Sequence, residues 1–182
     1  MFYKSTEFIT PKNTVITVRS ANVSDSESLI KYLHETAAET RFLAREPEEI
    51  TLTVEKERDF LLAKENNPRD LMLLAFVGDQ HAGNCSFCPV SEKSRYRHRC
   101  TLGIALYKKF CGLGIGTVLI SEAIKKAREC GYEQMKLSVV TENTPAVSLY
   151  KKFGFRICGT MPHDMKYKDG TYADVYEMVL DL

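Results

Sequence analysis

Cys111-Gly112-Leu113-Gly114-Ile115-Gly116 stands between an apolar strand pattern, Thr101 to Tyr107, and an amphipathic helix pattern, Thr117 to Cys130. Three alternate glycines strip the β-carbons from one face of a turn. Successive backbone N–H groups can then converge on an anion at a helix N-terminus. Strand, glycine turn and helix in that order describe half of a βαβ unit with a phosphate cradle at its bend. The same glycines would also serve a tight strand-to-helix turn that binds nothing.

The pattern continues outward on both sides. After the turn, Val118, Leu119, Ala123, Ile124 and Ala127 recur at helical spacing, Lys125, Lys126 and Arg128 face away, and Gly131 is placed to end the helix. Lys136 to Val140 reads as the next strand. Asn143-Thr144-Pro145 supplies an N-cap with Pro just inside a helix that carries Val147, Leu149, Tyr150 and Phe153 and stops at Gly154. Phe155 to Met161 and Tyr172 to Leu180 read as two closing strands with Asp169-Gly170 in the turn between them.

Towards the N-terminus, Val15 to Arg19 alternates like a strand, and Ser24-Asp25-Ser26-Glu27 opens a helix running to about Thr40. A second helix covers Val54 to Glu65, with Phe60, Leu61 and Leu62 on its apolar side, and Asn66-Asn67-Pro68 ends it. Arg41 to Thr53 between them reads as a mobile connection. Leu71 to Val77 and Gly83 to Cys88 form a hairpin through Gly78-Asp79-Gln80-His81, and Arg95 to Arg99 is a basic turn before the strand that leads to the glycines. The tetrapeptide Tyr-Lys-Lys-Phe occurs at Tyr107 and again at Tyr150, once leaving a strand and once inside a helix, so it is coincidence rather than repeat.

The 182 residues, 44% of them hydrophobic, suit one domain with a substantial core. Twenty-five Lys and Arg against 24 Asp and Glu leave a charge of +1, which argues against a surface built for nucleic acid or anionic lipid. Met1 to Glu7 has no apolar signal region, and no segment approaches the roughly 18 uncharged apolar residues of a membrane span. A cytoplasmic protein without a membrane partner is expected. The six cysteines read as free thiols, since a chain of this size needs no staples. Cys85 and Cys88 make a Cys-x-x-Cys without a second pair, and His34, His81, His98 and His163 are scattered, so no metal site is expected.

Spacing narrows the ligand of the cradle. A dinucleotide fingerprint needs Gly-x-Gly-x-x-Gly, and Thr117 stands where its third glycine belongs; the phosphate loop of nucleotide hydrolases needs a lysine between glycine and Ser or Thr, and Gly116-Thr117 has none.

The C-terminal half, from the glycine strand through Asn143, Tyr150 and Lys152-Phe153-Gly154-Phe155, resembles the GNAT (Gcn5-related N-acetyltransferase) superfamily in order and spacing. The family's Arg/Gln-x-x-Gly-x-Gly/Ala motif falls on Cys111, Gly114 and Gly116, with Gly112 and Leu113 at its variable positions and Ile115 and Thr117 beside its glycines. The resemblance is strong from about Leu71 to Leu182 and looser before that. It implies an α/β single-domain GNAT fold over residues 1–182: a mixed sheet of about six to seven strands, about four flanking helices, and a splay between two central parallel strands. The acetyl-CoA-binding core would be about 71–160. The ending Asp169 to Asp174 with Met178 is similar to ribosomal-protein and small-amine acetyltransferases.

The resemblance also implies a chemistry, direct transfer of an acetyl group from acetyl-CoA to a primary amine of a small molecule, peptide or protein. Ile104, Ala105 and Leu106 would hold the pantetheine arm like an added strand, the glycine turn would hold the pyrophosphate, Asn143 would approach the cofactor, and Tyr150 would protonate the departing thiolate. On spacing alone Tyr150 is a core aromatic and Asn143 a plain N-cap. Cys111 departs from the family's Arg or Gln, a loss of roughly one hydrogen bond or 1 kcal/mol. No Asp or Glu occurs from Ser94 to Phe110, and Thr101 occupies the place where many relatives carry a Glu. The general base is therefore open among a water chain, His98, Glu39, Glu142 and Asp164. The acids and bases of the acceptor region (Glu35, Glu39, Arg41, Arg45, Glu46, Glu48, Glu49) suit either a cationic amine or a solvated face. A non-catalytic acyl-CoA-binding module and a different nucleotide-phosphate binder are the alternatives, and a homodimer is compatible with either.

Overall fold

The computed structural model describes residues 1–182. In chain order the elements are β1 (Thr6–Ile9), β2 (Val15–Ser20), α1 (Ser26–Glu39), α2 (Val54–Asn66), β3 (Leu71–Val77), β4 (Gln80–Pro89), β5 (Arg99–Leu106), α3 (Ile115–Glu129), β6 (Gln134–Val140), α4 (Thr144–Lys152), β7 (Arg156–Lys166) and β8 (Tyr172–Asp181). They make one mixed sheet in the order β1-β2-β3-β4-β5-β6-β8-β7. The eight strands exceed the expected six to seven because of β1, whose four residues pair antiparallel with β2 from Thr6↔Val18 to Ile9↔Val15.

All neighbours are antiparallel except β5 and β6. Their parallel ladder holds only Arg99↔Gln134, Cys100↔Met135 and Thr101↔Lys136, although β5 runs on to Leu106 and β6 to Val140. Both strands stay paired on their outer sides, β5 with β4 through Gly83↔Leu106 and β6 with β8 through Val140↔Val175. The sheet is thus split between them, open towards the glycine turn. This is the expected splay.

Alternation along β4 sends Cys85 and Phe87 to one face and Asn84 and Ser86 to the other. The first face is covered by α3, which buries Ile115, Leu119, Ile120, Ala123 and Ala127, and by α4, whose Tyr150 stacks edge-on against Phe155. The second face lies under α1 and α2. The pairing of α1 with the sheet is fixed by Arg19 of β2, whose guanidinium makes two 2.7 Å bonds to the Asp25 carboxylate ahead of α1, and Asp25 also accepts the Asn22 N–H at 2.9 Å. Burial alone would raise the Asp25 carboxyl, but these donors hold it below its ordinary range.

Two strand boundaries and one helix face depart from the sequence reading. Val77 pairs directly with Gln80, so the hairpin turn is Gly78-Asp79 and β4 starts earlier than Gly83. Strand β7 runs past Pro162 to Lys166; proline is tolerated because β7 is the sheet edge, and the register shifts there, with His163 at φ 53° and its N–H on Asp174 Oδ1 at 2.8 Å. On α2, Phe60 and Leu62 are 47% and 45% exposed, while Leu61 and Glu57 are buried at 2% and 4%. Three successive residues cannot share a helix face, and the buried row is Glu57 and Leu61, one turn apart.

The Arg41 to Thr53 connection contains a 3-10 turn at Pro47–Glu49 and is tethered to the β7–β8 hairpin. The Arg41 guanidinium lies 3.8 Å over the Tyr167 ring, and Lys168 Nζ meets Glu48 at 2.6 Å and Glu46 at 3.6 Å.

Candidate active site

The glycine turn lies at the open mouth of the splay. Cys111 keeps an extended backbone, Gly112 and Gly114 take φ of 79° and 81°, and Gly114 is the left-handed residue on which α3 starts. Helix α3 therefore begins at Ile115, two residues before the expected Thr117, and Gly116 belongs to its first turn. Its reason for being glycine is different from its neighbours': a β-carbon there would lie 3.2 Å from Leu149 of α4 and 3.8 Å from Ile104 and Leu106 of β5. Bare backbone lets α3 close on α4 and β5 together.

The N–H groups of Gly112, Leu113, Gly114, Ile115 and Gly116 find no acceptor within the protein. Five consecutive free donors at a helix N-terminus, without a capping side chain, match the needs of a pyrophosphate. The turn is held from behind by the β1–β2 hairpin. Buried Thr10 donates to the Leu113 carbonyl at 2.7 Å and accepts from Lys12 and Thr14 N–H, and a β-carbon on Gly114 would press on Pro11 at 3.0 Å. The only local sequence signal for this brace is a Thr and a Pro at a turn after the four-residue strand β1.

Along β5, Ile104, Ala105 and Leu106 border the splay without a strand partner on that side. The Ala105 carbonyl accepts the Tyr32 hydroxyl of α1 at 2.8 Å, and that hydroxyl also reaches Asn84 Oδ1 at 3.2 Å. Asn143 caps α4, its side chain accepting the Ala146 N–H at 3.4 Å, and remains partly exposed. About two turns along the same helix Tyr150 is 7% exposed, and its hydroxyl has no partner in the protein yet is not sealed from solvent. Burial and the nearby Cys85 push its phenol upward, so at neutral pH it carries its proton.

Other residues with readings from the sequence are spread around the fold. The Glu39 carboxylate accepts the Lys108 N–H at 2.6 Å and so braces the turn after β5. Glu142 is exposed beside the α4 N-terminus, Asp164 is exposed on the edge strand β7, and His98 precedes β5 at the closed end of the splay. None of these four is brought into a buried cleft. Cys85 and Cys88 alternate to opposite faces of β4. His81 is held below its ordinary pKa by burial, with its Nε2 on the Gly83 carbonyl at 3.1 Å. The Cys111 thiol is raised by burial and by Glu39, which keeps it protonated at neutral pH.

Residues 30–155 match the acetyltransferase (GNAT) family. The chain belongs to that family. A GNAT acetyltransferase from Streptococcus pneumoniae superposes with a TM-score of 0.88 at 31% identity, covering 92% of this chain and 99% of that one. A Salmonella typhimurium protein solved with its cofactor acetyl-CoA shares the fold, with a TM-score of 0.81 at 21% identity over 92% and 94% of the two chains. Among curated relatives, the L-amino acid N-acetyltransferase AaaT of Escherichia coli is 28% identical over 116 residues, 62% of this chain and 69% of its own length. An N-alpha-acetyltransferase of Sulfurisphaera tokodaii is 37% identical over 82 residues, 44% of this chain and 47% of its own; the chain spans about half of that relative. No helix of this GNAT protein is long and apolar enough to cross a membrane.

Proposed function

We propose that this protein moves an acetyl group from acetyl-CoA directly to a primary amine, as a cytoplasmic N-acetyltransferase. The observation that carries the reading is the run of five unpaired N–H groups from Gly112 to Gly116 at the open end of the β5–β6 split. An anion with a long extended tail fits that combination, and acetyl-CoA has both parts. When bound it supplies an acetyl group activated as a thioester.

The chain's own residues then divide the work. The amides of Gly112, Leu113, Gly114, Ile115 and Gly116, with the α3 dipole behind them, hold the pyrophosphate without a cationic side chain, and Cys111 and Thr117 flank them. Ile104, Ala105 and Leu106 present an unpaired strand edge to the pantetheine arm. Asn143 orients α4 towards the cleft. Tyr150 holds a proton at its hydroxyl for the departing sulfur, a role its buried ring and unpartnered hydroxyl support. Cys111, protonated and with its thiol turned to the Tyr107 carbonyl, forms no covalent intermediate.

A second reading, an acyl-CoA-binding module without turnover, is favoured by one observation: β5 carries no carboxylate, with Thr101 in place of the usual acid. Thiol release separates the two. Purified protein is incubated with acetyl-CoA and a panel of polyamines, aminoglycosides, amino acids and N-terminal peptides, and free CoA is measured. Amine-dependent release supports transfer. Acetyl-CoA that raises the melting temperature with no release under any amine supports the binding module.

A further inference from the structure

On the face of the sheet opposite Tyr150, α1, α2 and the Arg41 to Thr53 connection border a half-open cavity of about 290 Å³ over strands β3 and β4. Its walls include Leu29 and Leu33 of α1 and Met72 of β3, and its floor includes Asn84 and Ser86 of β4. Those two residues pair with Ala105 and Gly103 of β5. At Gly103 a β-carbon would meet only the Ser86 hydroxyl, at 3.9 Å, so the space beside Ser86 is open towards β5. The cavity and the Tyr150 side therefore approach the same stretch of β5 from opposite faces.

One acid lines this cavity, and it is unusual. Glu57 is 4% exposed, yet it takes part in no ion pair and its carboxylate accepts no hydrogen bond from the protein. Its oxygens are not sealed from solvent, and in the cavity they are free to meet an arriving cation. Arg45 and Lys56 lie at the exposed rim of the same cavity. Acid within, apolar walls and cations at the rim form the complement of a small zwitterion with an apolar side chain. A cavity of this volume has room for a small molecule such as leucine.

We infer that this cavity is the acceptor site for a free α-amino acid with an apolar side chain, that Glu57 receives its ammonium group and takes one of its protons, and that Arg45 faces its carboxylate. The inference rests on the acetyl-transfer reading and supplies the base that reading lacks. Glu57 takes one ammonium proton. The neutral nitrogen forms the amide bond as the thioester carbon–sulfur bond breaks, and a second nitrogen proton reaches the sulfur by way of the Tyr150 hydroxyl. Glu57 then returns its proton to solvent through the rim. The products are an N-acetyl amino acid, a free thiol and one released proton.

The charges around Glu57 allow this. Burial raises its carboxyl above the ordinary range, while Arg45 from the connection and Lys64 from α2 pull it back. Lys56 of α2 also lines the cavity, and α1, β3 and β4 contribute only uncharged side chains there.

Glu57→Gln and Arg45→Met test the assignment with L-leucine and L-leucinamide as acceptors. In the unaltered protein kcat/KM for leucine should rise through the Glu57 ionisation, level off, and fall only as the amine itself loses its proton. In Glu57→Gln it should be about 10²-fold lower and rise with pH to the amine's own ionisation with no plateau, while acetyl-CoA affinity and melting temperature hold or improve. Arg45→Met should raise KM for leucine about tenfold and leave leucinamide, which lacks the carboxylate, unchanged. A Glu57→Gln profile of unaltered shape, even in a destabilised protein, or equal loss for both acceptors in Arg45→Met, overturns the assignment and leaves acetyl transfer standing. If the unaltered protein binds acetyl-CoA but acetylates no amine, both fail.

Discussion

The two faces of the split sheet are built on different principles. On the α3–α4 face the candidate cofactor groups are mostly backbone: free amides from Gly112 to Gly116 and the unpaired edge of β5. They come from one contiguous stretch of chain, so local spacing determines them. On the α1–α2 face the candidate acceptor groups are side chains, Glu57, Arg45, Asn84 and Ser86, carried by separate elements whose meeting depends on the whole fold. A shared cofactor needs the first kind of site, and a particular acceptor needs the second. Substitutions should accordingly damage cofactor binding on one face and acceptor choice on the other.

The largest effect is expected from Gly116→Val. Its β-carbon would sit 3.2 Å from Leu149, and further methyl groups would press on Ile104 and Leu106. Prying α3 away from α4 and β5 should cost up to about 3 kcal/mol and lower acetyl-CoA affinity about 10²-fold in calorimetry. Unchanged affinity would show that the cradle does not depend on this packing. Next is Tyr150→Phe, which keeps the ring and deletes a hydroxyl without a protein partner. Turnover should fall about 10²-fold, with acetyl-CoA affinity kept and stability within about 0.5 kcal/mol. An equal loss of affinity, or no loss of rate, would move Tyr150 back to being a core aromatic.

The contrast also explains what was legible in the sequence. Glycine spacing, the Asn143 cap and the apolar rows of α3 and α4 are local signals, and the structure places those elements within a few residues of where the pattern does. Strand β1 was not legible, because Thr6–Ile9 is four residues long and its purpose, bringing Thr10 onto Leu113, joins residues far apart in the chain. The extension of β7 through Pro162 depends on that strand's being at the sheet edge, which no local pattern declares. Glu57 did leave a trace, an acid one turn before Leu61 on the buried row of α2, but the consecutive Phe60, Leu61 and Leu62 obscured it.

A smaller effect should separate stability from acceptor choice on the α1–α2 face. Asp25→Asn removes the carboxylate that Arg19 grips with two 2.7 Å bonds, at a cost of roughly 2 kcal/mol. The folded-state carboxyl is lowered, so its contribution is full above the unfolded value of about 4 and drains away as pH falls through the folded one. Denaturant titrations should show the unaltered protein losing its advantage over Asp25→Asn below about pH 4. Acceptor preference among the survivors should not change; a changed preference would tie the ion pair to the cavity itself.

The smallest effect is a gain, and it bears on the cofactor face. Cys111 stands at the mouth of the cradle with an extended backbone that any side chain can adopt, and its thiol makes only a 3.6 Å contact to the Tyr107 carbonyl. An Arg there has room to reach a phosphate, adding about 1 kcal/mol, or roughly fivefold tighter acetyl-CoA. Glu39 opposes that gain, because its carboxylate already lies beside this turn on the Lys108 N–H and would compete for the guanidinium. Cys111→Gln offers donors without charge. If Gln tightens binding as much as Arg does, and the Arg gain grows in Glu39→Gln, the cradle works chiefly through neutral donors and Glu39 sets the charge it tolerates. If neither substitution tightens binding, the backbone amides already satisfy the phosphates by themselves.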